Sequence, residues 1–177
     1  MTKKPETIKM EDLIVGEDGL YYKKNAKVPF TGVIKEFYEN GQLLFIRNYK
    51  NGKAEGLYEC FYENGQFSRR ENRKNGDYHG LFELFYRNGQ FSSKGNLKKG
   101  KQHGPWVLFW ENGQHMEEIN YKDGELHGPY QSFHFNGQLD EKGNYKNEKK
   151  EGLWEHFDEE GELTKSETWE NGKLIEE

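Results

Sequence analysis

Three histidines, His79, His103 and His127, recur at intervals of 24 residues, and three more, His115, His134 and His156, fall elsewhere. Imidazole is a metal ligand, so a metal site is the first chemistry to weigh. Cys60 is the single cysteine and the only thiol nucleophile. Asp158, Glu159, Glu160 and Glu162 crowd four carboxylates into five residues. Rows of tyrosine and tryptophan form the third group: Tyr38, Tyr62, Tyr86 and Trp110, backed by Tyr58, Phe82 and Trp106. Such rings suit partner hot spots. What each group can do depends on the elements that position it.

Those elements are repeats. Gly32, Gly56, Gly80, Gly104, Gly128 and Gly152 are spaced by 24 residues. Five positions after each stands a phenylalanine: Phe37, Phe61, Phe85, Phe109, Phe133 and Phe157. Nine positions after each stands another glycine, in Asn-Gly-Gln five times and as Glu160-Gly161-Glu162 once. A second turn signal follows at Asn51-Gly52, Asn75-Gly76, Lys99-Gly100, Asp123-Gly124 and Asn171-Gly172, with Asn147-Glu148 lacking the glycine. Asn-Gly and Asp-Gly between short alternating runs are hairpin signals, because a type I′ turn needs positive φ at both central residues. Each unit therefore reads as two antiparallel strands. The units are 32–55, 56–79, 80–103, 104–127, 128–151 and 152–177. The fold class is all-β: a single elongated antiparallel meander of six 24-residue repeats, in which each unit contacts mainly its neighbours.

Alternation along a strand puts the second and sixth positions after each starting glycine on one face and the phenylalanines on the other. Residues at equivalent positions stand two strands apart, about 10 Å. That distance decides the metal question: His79, His103 and His127 cannot share an ion whose ligands lie about 2.0–2.1 Å away. They read as polar residues beside a turn. Cys60 reads as a small filler. The glycines obey hairpin spacing and precede no helix, so no phosphate-cradling loop is expected. No enzyme, no cofactor and no metal is expected. The Asn48–Asn144 and Lys50–Lys146 ladders read as a solvated face.

What remains is binding. Leu, Ile, Val and Phe supply 36 of 177 residues, too few for a thick core, yet aromatics reach 15%. Disordered chains are poor in aromatics, so a thin sheet stacking rings fits better. Net charge is −5, which gives no general attraction to nucleic acid or anionic membranes. Residues 128–177 carry six positive and 13 negative side chains, with Asp158–Glu162 at the centre of that excess. The candidate partner-binding residues are thus Tyr38, Tyr58, Tyr62, Phe82, Tyr86, Trp106, Trp110, Asp158, Glu159, Glu160 and Glu162. A monomer is expected. One cysteine and no visible secretory signal point to the cytoplasm.

Residues 1–11 are polar and without period, a flexible arm or a short cap. Residues 12–31 read as a shortened capping unit, with Gly19 in place of the Asn-Gly glycine and Pro29 suited to an edge strand. The units, for example Gly104-Pro-Trp-Val-Leu-Phe-Trp-Glu-Asn-Gly-Gln114 with Asn120-Tyr-Lys-Asp-Gly124, resemble the MORN-type repeat. More narrowly they resemble the bacterial YwqK family of antitoxin or immunity proteins, as do Gly19-Leu-Tyr-Tyr22 and Val28-Pro-Phe-Thr-Gly32. The resemblance implies a cognate protein toxin as partner and supplies no catalytic residues. The alternative is a MORN-type scaffold for protein–protein or membrane-surface association.

Overall fold

The computed structural model describes residues 6–176. The chain divides into two compact units, Met1–Gly89 and Gln90–Glu177. The first contains β1 (Thr7–Ile8), β2 (Leu13–Val15), β3 (Tyr21–Lys23), β4 (Gly32–Phe37), β5 (Leu43–Lys50), β6 (Lys53–Phe61), β7 (Phe67–Lys74) and β8 (Asp77–Phe85). The second contains β9 (Phe91–Lys98), β10 (Lys101–Gln102), β11 (Gly104–Phe109), β12 (His115–Lys122), β13 (Glu125–Phe133), β14 (Leu139–Lys146), β15 (Lys149–Lys150), β16 (Gly152–Phe157), β17 (Leu163–Glu170) and β18 (Lys173–Glu176). From β4 the strand order follows the chain, so the all-β meander expected from the repeats is the architecture of both units. Among the described residues the one helical turn is Met10–Asp12.

Two kinds of turn alternate. At Asn51-Gly52 both residues have positive φ, 49° and 76°, which is the left-handed pair of a type I′ turn. Asn147-Glu148 adopts the same pair at 51° and 66° without a glycine. The Asn-Gly-Gln turns differ from expectation: only the glycine is left-handed, 82° at Gly41. There Gly41 N–H donates to Tyr38 O and Tyr38 N–H donates to Gln42 O, while the Asn40 side-chain oxygen accepts from Gln42 N–H at 2.9 Å. An asparagine that folds its side chain onto the turn needs no left-handed backbone of its own.

From Gly56 onward the repeat glycines take positive φ, and in β6, β8 and β13 they lie in bulges. Between the paired residues Arg47↔Tyr58 and Tyr49↔Ala54, β5 spends one residue and β6 spends three. Gly56 takes φ 83° inside that bulge. The freed carbonyl of Leu57 accepts from the Asn48 side chain at 2.7 Å, and Pro129 O accepts likewise from Asn120 at 3.1 Å. These asparagines, expected as solvated ladder residues, satisfy backbone that the bulge would otherwise leave unpaired.

Residues 1–5 lie outside the described residues. Within the stretch read as an arm or a short cap, β1 pairs parallel with β4, Thr7 opposite Val33 and Ile8 opposite Ile34. Leu13, Phe30, Ile34 and Tyr49 form a buried cluster, joined by Ile8, Met10, Tyr21, Phe45 and Ala54. The cap thus rests on the first hairpin through a small apolar core.

Candidate functional site

Five β-hairpins of the repeat carry a bulge that sets which side chains share a face. Glu36 pairs with Phe45 but Phe37 pairs with Leu43, so Leu44 is the extra residue. Ser68, Met116, Asp140 and Thr164 occupy the same place in their hairpins. The consequence is two faces with separate aromatic sets. One, the phenylalanine face, stacks Phe61 on Phe67 at 4.8 Å and Phe67 on Phe85 at 5.7 Å. In the second unit Phe91 meets Phe109 at 5.8 Å, and His115 stands edge-on to Phe109 at 5.1 Å. Long cations lie over these rings, with Arg70 at 5.1 Å from Phe67 and bridged to Glu59 and Glu83. Lys94 spans Phe91 and Phe109. Such stems shield ring surface while the charged heads stay wet.

The other face, the tyrosine–tryptophan face, carries Ile34, Tyr58, Phe82, Trp106, Tyr130 and Trp154. Its two halves are filled differently. In the first unit, Glu71 lies opposite both Tyr58 and Phe82 and is fully buried. Arg69 and Arg73 clamp it, the Arg73 Nε donating to Glu71 at 2.7 Å. Arg73 also stacks on Tyr78, its guanidinium 3.3 Å from the ring centre, and Arg47 covers Tyr58 at 4.1 Å. Cys60 sits among these groups, opposite Arg69, and burial pushes its thiol up. A thiol raised in this way is a poor nucleophile.

In the second unit glycine replaces charge between Tyr130 and Trp154, while the buried Glu167 stands opposite Trp154 on its other side. Gly143 lies between Tyr130 and Trp154, whose rings stack across it at 5.6 Å. A Cβ on Gly143 would stand 2.2 Å from the Trp154 ring, and one on Gly95 would stand 2.3 Å from Trp106. Trp154 is completely covered. Lys150 lies 3.9 Å over its ring and pairs with Glu141 at 2.8 Å. Glu167, 8% exposed, accepts from Lys165, Trp169 and His156. Lys165 above all holds its carboxyl down at about 2. Burial, with Glu117 nearby, pushes the Tyr130 phenol up to about 12. Burial also raises Glu117, with a smaller push from Glu141.

The residues expected to bind a partner separate into three groups. Tyr58 and Phe82 are half-buried on the tyrosine–tryptophan face, whereas Trp106 retains only 6% of its surface. Tyr38 and Tyr62 lie past the ends of β4 and β6, and their hydroxyls donate to Phe61 O and Phe85 O at 2.7 Å. They join each turn to the next instead of sharing the face of Tyr58, because the strand ends before them. Tyr86 and Trp110 hold the same turn position, and Trp110 contacts Phe135 edge-on at 5.7 Å. Asp158 closes its own turn by accepting from Glu162 N–H at 2.8 Å. Glu159, Glu160 and Glu162 are exposed.

The recurring histidine position has a structural role the repeat alone did not reveal. In four repeats, that of His103 among them, the residue before the starting glycine reaches the turn twenty residues later. Asn51 N–H donates to Thr31, Asn75 N–H to Glu55, Asp123 N–H to His103 and Asn171 N–H to Glu151. The spacing does not single out Arg47, Arg69 and Arg73, which the strand pairing gathers around Tyr58, Phe82 and Tyr78. Seeing it required the bulge register.

The MORN repeat variant matches residues 30–51, 54–75, 102–123, 126–147 and 150–171, five segments of 22 residues and so 110 of the 177. The stretch 76–101 falls between matches although Gly80, Phe85 and Gly89 keep the spacing. No curated protein matches the chain. With bulge, turn and ring positions repeating through both units and well over half its length matched, the chain belongs to the MORN repeat variant family.

Proposed function

We propose that this MORN-repeat chain is a non-enzymatic scaffold whose partner is a protein. More narrowly, it is a cytoplasmic antitoxin or immunity protein that neutralises a cognate bacterial toxin by direct binding. The observation that carries this reading is the first unit's tyrosine–tryptophan face. There Arg47, Arg69 and Arg73 interleave with half-buried Tyr58, Phe82 and Tyr78. Arginine and tyrosine are the residues most enriched in interface hot spots, and here packing already fixes their rotamers. Tyr86 and Trp110 add ring area along the turns. The exposed carboxylates of Glu159, Glu160 and Glu162 steer a basic partner, which raises association rate and specificity.

The test is capture followed by reconstitution. Tagged protein is used to pull down partners from its host, and each stoichiometric partner is then expressed with and without the chain. The expected result is one protein that arrests growth alone and is harmless beside an equimolar amount of the chain. A stoichiometric partner without toxicity overturns the antitoxin reading. Flotation of the chain with anionic vesicles, in place of any protein partner, overturns the protein-binding reading.

A further inference from the structure

The cleft between the N-terminal cap and the first two hairpins holds a guanidinium whose charge the protein leaves uncompensated. The cleft has a volume of about 350 Å³ and is walled by Tyr21, Tyr49, Ala54, Arg47, Arg73 and Lys53. Arg69, Arg70 and Arg73 each bridge to a glutamate, whereas among the described residues Arg47 has no carboxylate within 4.0 Å. Arg47 is held instead by aromatic groups. Its Nη1 donates to the Tyr49 hydroxyl at 3.3 Å, and its plane lies over Tyr58. Tyr49 is itself 4% exposed and pinned edge-on by Tyr21 at 5.0 Å. The guanidinium is therefore positioned before any ligand arrives, with most of its five donors unspent.

The charges around the cleft define the ligand. Glu71 answers Arg73 and Arg69 together, and Asp77 stands at the rim with Lys53. Positive charge therefore stays in excess, and Arg47 is the carrier with no carboxylate of its own. It invites an anion, and Asp77 opposes one of high charge. The Tyr49 hydroxyl, having accepted from Arg47, carries a proton that it can turn to Tyr21 or to a ligand. A planar carboxylate takes a guanidinium and a neighbouring O–H together, and charge-assisted bonds of this kind are the strong ones. Tyr21 and Ala54 offer the apolar wall that a short methylene stem needs.

We propose that this cleft binds a carboxylate presented by an acidic side chain of the protein partner, a proposal that rests on the protein-binding reading above. The full chain is titrated by calorimetry with four probes: acetate, N-acetyl-glutamate with an amidated α-carboxyl, its glutamine counterpart, and inorganic phosphate at pH 8. The blocked glutamate is expected to bind, the glutamine counterpart at least tenfold more weakly, and phosphate no better than acetate. Arg47→Gln is expected to abolish the difference between glutamate and glutamine probes. Arg47→Lys, which keeps the charge and loses the fork, retains part of it. Circular dichroism checks that both variants keep the wild-type fold. Equal binding of the glutamate and glutamine probes overturns the proposal, as does tighter binding of phosphate or an unchanged Arg47→Gln variant. Acetate binding as tightly as the blocked glutamate would assign the cleft to small free carboxylates and overturn the side-chain source. If captured partner binds Arg47→Gln as it binds wild type, the cleft proposal fails while the scaffold reading stands. If no protein partner exists, the scaffold reading and the side-chain source fail together, and binding of the glutamate probe then assigns the cleft to some other carboxylate.

Discussion

On the tyrosine–tryptophan face the two units solve one packing problem in different ways. A ring at the second position after each repeat glycine needs a partner across the strand pair. In the first unit Tyr58 and Phe82 face Glu71, whose charge is met by Arg69 and Arg73. In the second unit Tyr130 and Trp154 close over Gly143, which offers space and no charge. The backbone register is the same in both. What differs is what lies between neighbouring rings, a paired ion between Tyr58 and Phe82 and a gap between Tyr130 and Trp154, with the paired Glu167 on the far side of Trp154. The ionic solution leaves guanidinium edges at the surface, where they can meet another molecule. The glycine solution consumes its largest ring entirely. On the function proposed above, the first half is the one that meets a partner.

The sharpest way to break the comparison is to remove its central ion. Glu71→Ala strands Arg69 and Arg73 around an empty site. It should lower stability by about 3 kcal/mol, the scale for breaking a buried pair from one side. Urea denaturation measures it. Glu71→Gln, which keeps the shape, should lose less. A loss below about 1 kcal/mol would show that the arginines simply turn to water.

Next comes the glycine solution. Gly143→Ala drives a methyl group into the Trp154 ring and should cost about 2 kcal/mol by overpacking. The double variant with Trp154→Leu should recover part of that loss, because the ring is what the methyl meets. Thermal melts of the single and double variants decide the point.

The third prediction concerns pH in the second unit. The Glu167 carboxyl is held at about 2, below its ordinary 4.5, so its contribution to stability is present above about pH 4.5 and drains away as pH falls toward 2. The stability gap between wild type and Glu167→Gln should therefore close across that interval. A gap independent of pH would contradict the Lys165–Glu167–Trp169 arrangement as described.

The smallest effect is a gain. Glu148 holds φ 66° in a turn where five counterparts have glycine. Glu148→Gly should stabilise the chain by about 1 kcal/mol, since the left-handed region disfavours a side chain by that amount. Differential melting measures it, and a loss would show that the Glu148 side chain is needed in place.

Much of this was legible in the sequence. The glycine spacing and the paired turn signals pointed to the meander and to the type I′ turns at Asn51-Gly52 and its counterparts, though not to the different turn at Asn-Gly-Gln, because positive φ writes itself into residue choice. The face assignments were legible only in part. Alternation by two is reliable until a bulge adds a residue, and Leu44 with its counterparts adds one in every hairpin where the pairing is described. That single residue separates Leu43 and Phe67 from Tyr49 and Arg73, which simple alternation would have joined. Tyr38 and Tyr62 escape the alternation for a different reason, because β4 and β6 end before them and their hydroxyls bind the neighbouring turn. Asn48 looked like a solvated ladder residue because nothing in the sequence announces which carbonyl a bulge will free. The histidines were rightly separated by the repeat distance, but the turn amide that His103 meets became visible only in three dimensions.

The central claim is that the first unit's tyrosine–tryptophan face, and not the phenylalanine face, meets the partner. Calorimetric titration of the captured partner against Tyr58→Ala and Phe67→Ala tests it most directly, with stability checked for each. Tyr58→Ala should weaken binding about thirtyfold, the scale of a hot spot of 2 kcal/mol, and Phe67→Ala less than about threefold. The reverse order, or equal small losses, would contradict it.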